Sequence, residues 1–436
     1  MNHSALRRRV AVGGTAAALV GSTLVAAAAG PAAGASPNGD VLYVARPPHV
    51  QASALTTISP TLTPAQCLAQ TGGVFACHDP ASIHQAYDIP TTVNGALAGT
   101  GQTIVIVDAF GSPTIASDLA TFDAAFNLPA PPSFSVIYPQ GKPTWQGKDL
   151  QLGWAEETSL DVQWAHAVAP GANIILDVAV TSYGSALNNA VSYAVQNHLG
   201  NVISMSYGQP ENLVHGNNTQ ELQSHAIFTA AVQAGITPIS SSGDTGSDNG
   251  AGYANFQYPA NDPLVTAVGG TDLWAGSGLT NQRETTWGDY DPSTCLTGCP
   301  DGPFGATGGA PSLATGKQGS DVSYNAGVYT GVLTYLGFLG GSDNGFYFFG
   351  GTSAGAPQWA AVVAMVDQAR AGANHAPVGN LRDQLATLSS AGDFFDVTTG
   401  SNLTPTFTGG FSATAGKDLP TGYGSPDVAK VISTLR

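Results

Sequence analysis

The chain contains 436 residues, of which 29 are acidic and 13 are basic, so its formal net charge at pH 7 is −16. A surface of that sign repels the phosphate backbone, which argues against nucleic acid as a partner. It also suits an acidic medium, where many carboxylates are neutral and their mutual repulsion falls. The length allows two average domains, but α/β folds often exceed two hundred residues as one unit, and the chain has neither an internal repeat nor a charged linker.

Residues 1–35 have the pattern of a signal peptide. Arg7-Arg8-Arg9 precedes an apolar stretch from Val10 to Ala29, and Ala33-Gly34-Ala35 provides a small-residue cleavage site. We therefore predict that this segment is removed and that the mature protein is secreted and extracellular. A single membrane anchor is the alternative, but the stretch is weakly apolar and no other segment has the length needed to span a bilayer. No membrane attachment is expected after the signal is removed.

The four cysteines lie in two close pairs. Their spacing predicts two local disulfide bonds, Cys67 with Cys77 and Cys295 with Cys299. Other pairings remain possible in an exported chain. A cysteine-based metal site is not expected, because no spacing of histidines and cysteines supports one.

Apolar runs alternate with helical patterns along the middle of the chain. Five apolar runs predict buried parallel strands at Thr103–Ala109, Asn173–Val180, Asn201–Tyr207, Ile236–Ser240 and Leu264–Val268. The intervening patterns predict helices at Ser112–Phe126, Glu156–Ala167, Gly184–Asn197, Glu221–Ala234 and Ser353–Ala369. The alternation predicts an α/β fold, with a doubly wound, mostly parallel sheet and helices on both faces. Ligands of such sheets bind at the carboxyl ends of the strands.

Two acids on the second predicted helix are candidates for proton transfer. Glu157 and Asp161 are four residues apart and share a helix face, where two charges would repel each other. Close carboxylates avoid this repulsion by sharing a proton, which gives a pair able to take a proton from a hydroxyl under acidic conditions. Two solvated acids on an exposed face are the alternative. The neighbouring apolar residues favour a buried helix: Leu160, Val162, Trp164, Ala165 and Val168.

Two further strand ends carry polar residues. Asp244 follows the fourth predicted strand within a run of serine and glycine, at the place where α/β sheets bind ligands, although such an aspartate alone is more often an Asx-turn residue. Ser204-Met205-Ser206-Tyr207-Gly208 predicts either an edge on which an extended peptide pairs or an ordinary core strand end. The segments Asp289–Asn325 and Leu333–Phe349 are predicted to be long surface loops near the rim of the site.

Ser353 is a candidate nucleophile. It lies in Gly350-Gly351-Thr352-Ser353-Ala354-Gly355-Ala356-Pro357, a set of small residues that precedes an apolar helical run. The amides and dipole of the helix N-terminus would lie beside its hydroxyl. A turn followed by a helix N-cap is the alternative reading of the same residues.

Together these segments resemble the sedolisin family, the serine-carboxyl peptidases. Its members carry a Glu-x-x-x-Asp helix, an acid in a Gly-Asp-Ser/Thr-Gly turn and a Gly-Thr-Ser-x-x-x-Pro motif, and all three occur here in that order between about Asp79 and the C-terminus. The resemblance implies a subtilisin-like fold. It also implies that Ser353 is the nucleophile, Glu157 its base, Asp161 the partner that orients and tunes Glu157, and Asp244 the acid of the oxyanion hole.

The implied chemistry is that of an acidic medium. A glutamate with a pKa of about 4.3 is matched to acid, where an ordinary histidine of pKa about 6.5 is protonated and cannot act as a base. Asp244 donates a hydrogen bond only while it is protonated, which low pH or an apolar setting maintains. A subtilisin-type Ser-His-Asp enzyme is the rival, but none of the nine histidines lies in the His-Gly-Thr-His setting of that family. We interpret His166, on the acid-bearing helix, as structural.

The resemblance also implies a C-terminal calcium-binding region. Calcium takes six to eight oxygen ligands from carboxylates, carbonyls and water. The matching positions assign Asp396 and Asp418 as carboxylate ligands and Val397, Thr414 and Gly416 as carbonyl ligands of one structural Ca²⁺. Thr414 replaces the usual glycine of the family, and a pair of Gly/Asp turns without metal is the alternative.

The predicted organisation is a signal peptide (residues 1–35), a short segment that is a possible propeptide remnant (36–76) and a peptidase domain (77–436). The family's propeptides are usually far longer. The expected function is a secreted, monomeric serine-carboxyl endopeptidase that hydrolyses protein or peptide substrates through an acyl-enzyme. The alternative is an exported binding or structural protein that retains the fold without turnover.

Overall fold

The computed structural model describes residues 40–45, 47–51, 63–215, 218–274, 283–291, 293–294 and 304–436. Within them the helices are α1 (Pro64–Gln70), α2 (Pro80–Ala86), α3 (Ile115–Phe126), α4 (Asp149–Val168), α5 (Gly184–Gln196), α6 (Glu211–His215), α7 (Asn218–Gln233), α8 (Thr352–Gly372), α9 (Leu385–Ala391) and α10 (Val428–Leu435). The strands are β1 (His49–Gln51), β2 (Thr92–Val93), β3 (Ala96–Leu97), β4 (Thr103–Ala109), β5 (Phe134–Ile137), β6 (Asn173–Ala179), β7 (Val202–Met205), β8 (Gln209–Pro210), β9 (Thr237–Ser241), β10 (Gln257–Tyr258), β11 (Thr266–Trp274), β12 (Arg283–Thr286), β13 (Val322–Asn325), β14 (Val332–Leu336), β15 (Gly345–Phe349), β16 (Phe394–Phe395) and β17 (Ser425–Pro426).

An eight-stranded sheet forms the centre of the fold. Its order is β12-β11-β9-β7-β4-β6-β5, and β13 pairs with β11 beside that path. Every pair is parallel except β11 with β12, which is antiparallel. All five predicted strands lie in this sheet, so the predicted α/β fold with a mostly parallel sheet is confirmed. The carboxyl ends of β4, β7 and β9 therefore meet along one edge.

Helices cover both faces of the sheet. Along β4, Ile104 and Ile106 pack into the core beneath α4 and α8, whereas Val105 and Val107 pack into a second core beneath α5. A strand buried on both faces needs apolar side chains at every position, which is why these runs are continuous rather than alternating. The helices α4 and α8 are buried along most of their length and pack against each other. Their contact brings the predicted acids towards Ser353.

Two segments predicted to be surface loops contain strands of the fold among their described residues, so both predictions are wrong there. Asp289–Asn325 contains β13 of the central sheet, and Leu333–Phe349 forms most of the antiparallel hairpin of β14 with β15. The many glycines and polar residues of the first segment suggested loops. In the structure they let backbones approach closely, as at Gly308, where a Cβ would collide with the carbonyl of Ser242.

The N-terminal part of the described chain is attached to this frame. β1 pairs with β15 and extends the hairpin to a three-stranded sheet. The predicted disulfide bond between Cys67 and Cys77 is present and buried. Residues 1–35, with the predicted signal peptide, and the predicted pair Cys295 and Cys299 lie outside the described residues. No helix in the described part of the chain is long and apolar enough to cross a membrane.

Candidate active site

The two acids of α4 are buried one helical turn apart. Glu157 is 1% exposed and Asp161 is 0% exposed. Burial raises the pKa of Glu157 well above its ordinary value, and the neighbouring charges of Asp161 and Asp108 raise it further. Burial, followed by the charge of Asp108, likewise raises the pKa of Asp161 well above its usual range. These carboxyls therefore retain protons that exposed carboxyls would release at the same pH.

A third buried acid, Asp108, joins this pair and was not predicted as a site residue. It lies one residue before the carboxyl end of β4 and is 0% exposed. Neither of its carboxylate oxygens has a well-formed hydrogen bond. Burial raises the pKa of Asp108 to about 7, and the nearby Thr158 side chain offsets only part of this rise. The signal in the sequence was an acid at the end of an apolar strand, which by itself is common to many α/β folds.

Ser353 begins α8 next to these acids. It is the second residue of the helix, after an N-cap at Gly351, and its side chain is nearly buried, with 6% exposure of the residue. The Ser353 hydroxyl lies near the carboxylate of Glu157 and offsets part of the rise in the pKa of Glu157. The serine Oγ also lies 3.4 Å from the carbonyl oxygen of Ser206, which follows β7. The helix N-terminus adds a positive dipole end at the same place.

Asp244 lies on the other side of α8's first turn. Its Oδ1 accepts hydrogen bonds from the backbone amide of Thr352 at 2.7 Å and from the Thr352 hydroxyl at 2.8 Å. Its Oδ2 faces Gly351, where a Cβ would lie 2.6 Å from that oxygen and where φ is +91°. Glycine is therefore required two residues before Ser353. Burial raises the pKa of Asp244, and the two bonds from Thr352 lower it only in part.

A glycine-rich stretch that sequence reasoning missed holds Asp244 in place. Ala306 donates its amide to the carbonyl of Asp244 at 3.1 Å, and Gly308 donates its amide to the carbonyl of Gly243 at 2.7 Å. Gly246 donates back to the carbonyl of Ala306 at 2.9 Å. These contacts use backbone atoms of residues about sixty positions apart, so no local pattern in the sequence indicates them.

Two other predictions concern this edge of the sheet. Ser204 is paired on both sides, with Ile106 of β4 and Ile239 of β9, whereas Met205 is paired only with Ser240 of β9, and Ser206, Tyr207 and Gly208 extend beyond β7. An added strand at Ser204 is therefore excluded. His166 is buried and lies 2.8 Å from the carbonyl of Pro129, and burial lowers its pKa to about 4. This is a structural environment, as predicted.

The residues assigned to calcium lie together near the C-terminus. The amide of Gly416 donates to Asp396 Oδ2 at 2.8 Å, and the amide of Thr414 donates to Asp418 Oδ2 at 2.9 Å. Val397 is buried directly after Asp396. Burial raises the pKa of Asp418, and the nearby charge of Asp396 adds to the rise. A cation would offset this repulsion between two carboxylates. Within the described residues, no cluster of three or more His, Cys, Asp or Glu side chains could hold a metal.

Comparison with known proteins identifies the family. The profile described as the subtilase family matches residues 154–402. Kumamolisin from Bacillus sp. (strain MN-32) is 31% identical over 389 residues, which are 82% of this chain and 63% of kumamolisin. Sedolisin from Pseudomonas sp. (strain 101) is 28% identical over 380 residues, or 81% of this chain and 61% of sedolisin. This chain belongs to the sedolisin family of subtilases. The resemblance predicted from the sequence is confirmed.

A solved structure supports the same assignment. The structure of Pseudomonas sedolisin, described as a serine-carboxyl proteinase complexed with two molecules of pseudo-iodotyrostatin, superposes with a TM-score of 0.68 at 26% identity. The match covers 83% of this chain and 98% of that one. The subtilisin-like fold is thus confirmed over most of the sedolisin-family domain. The chain spans about three fifths of the length of the curated relatives named above.

Proposed function

We propose that this chain is a secreted serine-carboxyl endopeptidase that hydrolyses peptide bonds of proteins or peptides at acidic pH. One observation carries the proposal: the Ser353 hydroxyl, the Glu157–Asp161 pair and Asp244 converge at the carboxyl edge of the sheet, around the N-terminus of α8. The sedolisin-family relatives support the reaction class. The predicted signal peptide supports secretion, and a monomer remains the expectation.

Each of the four side chains has a role in the proposed reaction. Ser353 Oγ attacks the carbonyl carbon of the peptide bond while its proton passes to Glu157, and Asp161 orients Glu157 and shares its proton. Protonated Asp244 donates a hydrogen bond to the oxyanion. Collapse of the intermediate breaks the C–N bond, and Glu157 returns the proton to the leaving amine, which gives an acyl-enzyme. Water then attacks the ester by the same route and releases the acid product and Ser353.

The proposed working range depends on two carboxyls whose pKa values are both raised by burial. Glu157 must lose its proton to act as a base, whereas Asp244 must keep its proton to act as a donor. Because burial raises the pKa of Asp244, its donor form persists to a higher pH than an exposed aspartate would allow. The result is a bell-shaped pH profile on the acidic side, set by the coupled carboxyls rather than by a histidine.

One structural Ca²⁺ is part of the proposal. The carboxylates of Asp396 and Asp418 and the carbonyls of Val397, Thr414 and Gly416 would hold it. Hard oxygen donors of this kind fit calcium, and the ion would neutralise two neighbouring carboxylates and tie the loop of residues 414–418 to β16. The ion has no step in the proposed reaction.

The test is cleavage of an acid-denatured protein from about pH 3 to about pH 8 by the purified mature chain. We expect activity confined to acid, and a loss of about 10⁴-fold or more in Ser353→Ala and Glu157→Gln. Ser390→Ala, at an exposed serine of α9, is the matched control and should retain full activity. A neutral optimum would contradict the carboxylate base. No cleavage by the folded chain at any pH would favour the fold-retaining binding protein.

A further inference from the structure

A pair of buried acids lies behind the candidate active site and has no part in the proposed reaction. Asp272 lies on β11 and Asp289 lies shortly after β12, and both side chains are buried. Burial raises the pKa of Asp272 well above its usual range, and the charge of Asp289 raises it further, which makes the two carboxyls close neighbours. Buried carboxyls are costly unless they form hydrogen bonds that the fold needs, so the bonds of this pair indicate its purpose.

The carboxyl of Asp289 binds the stretch of chain that leads to the proposed oxyanion acid. Its Oδ2 accepts hydrogen bonds from the backbone amide of Phe304 at 2.8 Å and from that of Gly305 at 3.2 Å. The backbone amide of Asp289 donates in turn to the carbonyl of Gly305 at 3.0 Å. Asp289 therefore holds both the amide and the carbonyl of Gly305.

Gly305 lies directly against the backbone of Asp244. A Cβ on Gly305 would be 2.6 Å from the carbonyl oxygen of Asp244, so the two main chains are in contact there. The next residue, Ala306, donates its amide to that same carbonyl oxygen at 3.1 Å and forms a parallel bridge with Thr245. Asp289 thus reaches Asp244 through Gly305 and Ala306.

Backbone bonds hold the stretch of residues 304–308 between two other segments. On one side the amide of Thr307 donates to the carbonyl of Trp287 at 2.9 Å, and on the other the amide of Gly308 donates to the carbonyl of Gly243 at 2.7 Å. The main chain of the oxyanion acid is therefore placed by this stretch, whereas its carboxyl is bonded to the first turn of α8.

Asp272 faces the segment that supports the start of α8. A Cβ on Gly327 would overlap Asp272 Oδ1, so the chain passes directly over this carboxyl. The residue before it, Ala326, accepts a hydrogen bond from the amide of Gly351, the N-cap of α8, at 2.6 Å. The acid pair therefore lies between the stretch that holds the oxyanion acid and the segment that holds the helix of the nucleophile.

Both acids keep their protons at the acidic pH of the proposed reaction. Burial raises the pKa of Asp289 to about 7, and the amides of Phe304 and Gly305 offset only part of this rise. Neutral carboxyls do not repel each other and need no counter-charge in the interior. Because Oδ2 of Asp289 accepts both amides, its proton lies on Oδ1.

We propose that Asp289, with Asp272 behind it, is a positioning residue that holds the proposed oxyanion acid Asp244 in place relative to Ser353. It contacts neither the substrate nor the reacting atoms. Loss of its carboxyl would leave two buried amides without an acceptor, and the stretch of residues 304–308 would shift together with Asp244.

The loss should appear in kcat rather than in KM. The oxyanion forms only in the transition state, so a displaced donor weakens that state and leaves substrate binding as it was. This consequence for activity rests on the proposed peptidase function, whereas the structural link between Asp289 and Asp244 does not.

The first test compares Asp289→Ala with Asp289→Asn in the full mature chain. In the alanine variant, kcat for a fluorogenic peptide should fall by about 10²-fold, within the range for loss of an oxyanion donor, and KM should stay within about twofold. Asparagine places a carbonyl oxygen at Oδ2 and a donor at Oδ1, as the protonated acid does, so it should keep kcat within about twofold of the wild type.

Asp367→Ala is the matched control for loss of a buried acid. Asp367 is also buried, its pKa is raised by burial to about 7, and its Oδ1 accepts from the amide of Val378 at 2.8 Å. It lies on α8 about 21 Å along the helix axis from Ser353, from the ordinary rise of 1.5 Å per residue. This variant should lose stability and keep the kcat of the wild type.

A double-mutant cycle tests whether Asp289 acts through Asp244. If it does, Asp289→Ala should cost no more than about twofold in kcat in a chain that already carries Asp244→Ala. Asp289→Ser keeps a hydroxyl as a smaller acceptor; it serves if the alanine variant fails to fold, and its smaller loss should depend on Asp244 in the same way. Equal losses in both backgrounds, a loss confined to KM, or an unchanged kcat in the single variants would overturn the proposal.

Hydrogen exchange tests the same link without turnover. In chains that carry Ser353→Ala, the amides of Gly246 and Ala306 should exchange at least about tenfold faster with Asp289→Ala than with Asp289→Asn, because these amides join the two segments. Asp367→Ala should leave both exchange rates unchanged. Equal exchange in the two Asp289 variants would overturn the proposal.

The two readouts together separate this proposal from the proposed function. Faster exchange and a kcat loss that depends on Asp244 would support both. Faster exchange with no cleavage by any chain would support the link between Asp289 and Asp244 and contradict the peptidase. Cleavage with equal kcat in the wild type and Asp289→Ala, with unchanged exchange, would support the peptidase and contradict the positioning residue.

Discussion

Replacing Asp244 by asparagine separates the two properties that the proposed oxyanion acid needs, its shape and its proton. The carboxyl uses Oδ1 to accept from the amide and the hydroxyl of Thr352 at 2.7 and 2.8 Å, and Oδ2 faces Gly351. In Asp244→Asn the amide oxygen can keep both bonds from Thr352. The NH₂ group then takes the position of Oδ2 and donates at every pH, because an amide does not titrate in this range.

The expected magnitude follows from the loss of one donor. Removing a single oxyanion-hole donor costs about 10²–10³-fold in kcat, or about 2.7–4 kcal/mol of transition-state stabilisation, and we expect this loss in Asp244→Ala. Asp244→Asn retains a donor, so it should recover at least about tenfold of that loss. The wild-type chain loses its donor as pH rises through the raised pKa of Asp244, whereas the asparagine variant does not. The alkaline limb of its kcat/KM profile should therefore move to higher pH.

The assay is kcat/KM for a fluorogenic peptide across the pH range of activity, measured for the wild type and both variants. Asp79→Asn is the control: Asp79 caps α2 by accepting from the amide of Ser82 at 2.8 Å, and asparagine is an equally good cap. The control should match the wild type at each pH. If Asp244→Asn is as slow as Asp244→Ala, or if its alkaline limb coincides with that of the wild type, Asp244 is not the oxyanion donor.

Three other predictions concern charge and metal. Because burial raises the pKa of Asp108 to about 7, this acid is neutral in the proposed acidic working range and adds no charge beside Glu157, so Asp108→Asn should leave the acid limb of kcat/KM in place; a limb that moves would contradict this argument. Burial raises the pKa of Asp177 to about 7 from 3.8, so its contribution to stability is fully present below about pH 4 and is lost as pH rises to about 7. Asp177→Asn should therefore reduce the slope of unfolding free energy against pH by up to about 1.4 kcal/mol per pH unit in that window, measured by thermal unfolding, and an unchanged slope would refute the argument. If Asp396 and Asp418 hold Ca²⁺, chelation should lower the Tm of the wild type but leave that of Asp418→Asn unchanged; equal shifts in both would exclude the site.

The parts of the site that could be predicted from the sequence are those that lie in local patterns. Glu157 and Asp161 share a helix face because of their spacing, and Ser353 begins a helix because small residues precede an apolar run. Asp244 follows an apolar strand, so the parallel sheet places it at the same edge. Each inference needed only residues within a few positions of one another.

The missing parts depend on contacts between distant segments. Asp108 becomes part of the acid cluster only because β4 lies beside α4 in three dimensions, and its own surroundings in the sequence are those of any strand end. The backbone bonds from Ala306 and Gly308 that hold Asp244 depend on glycines that resemble a loop when read locally. The hairpin of β14 with β15 also differs from its predicted loop. The register of this hairpin is set by pairing between residues nine or more positions apart, which no local pattern in the sequence indicates.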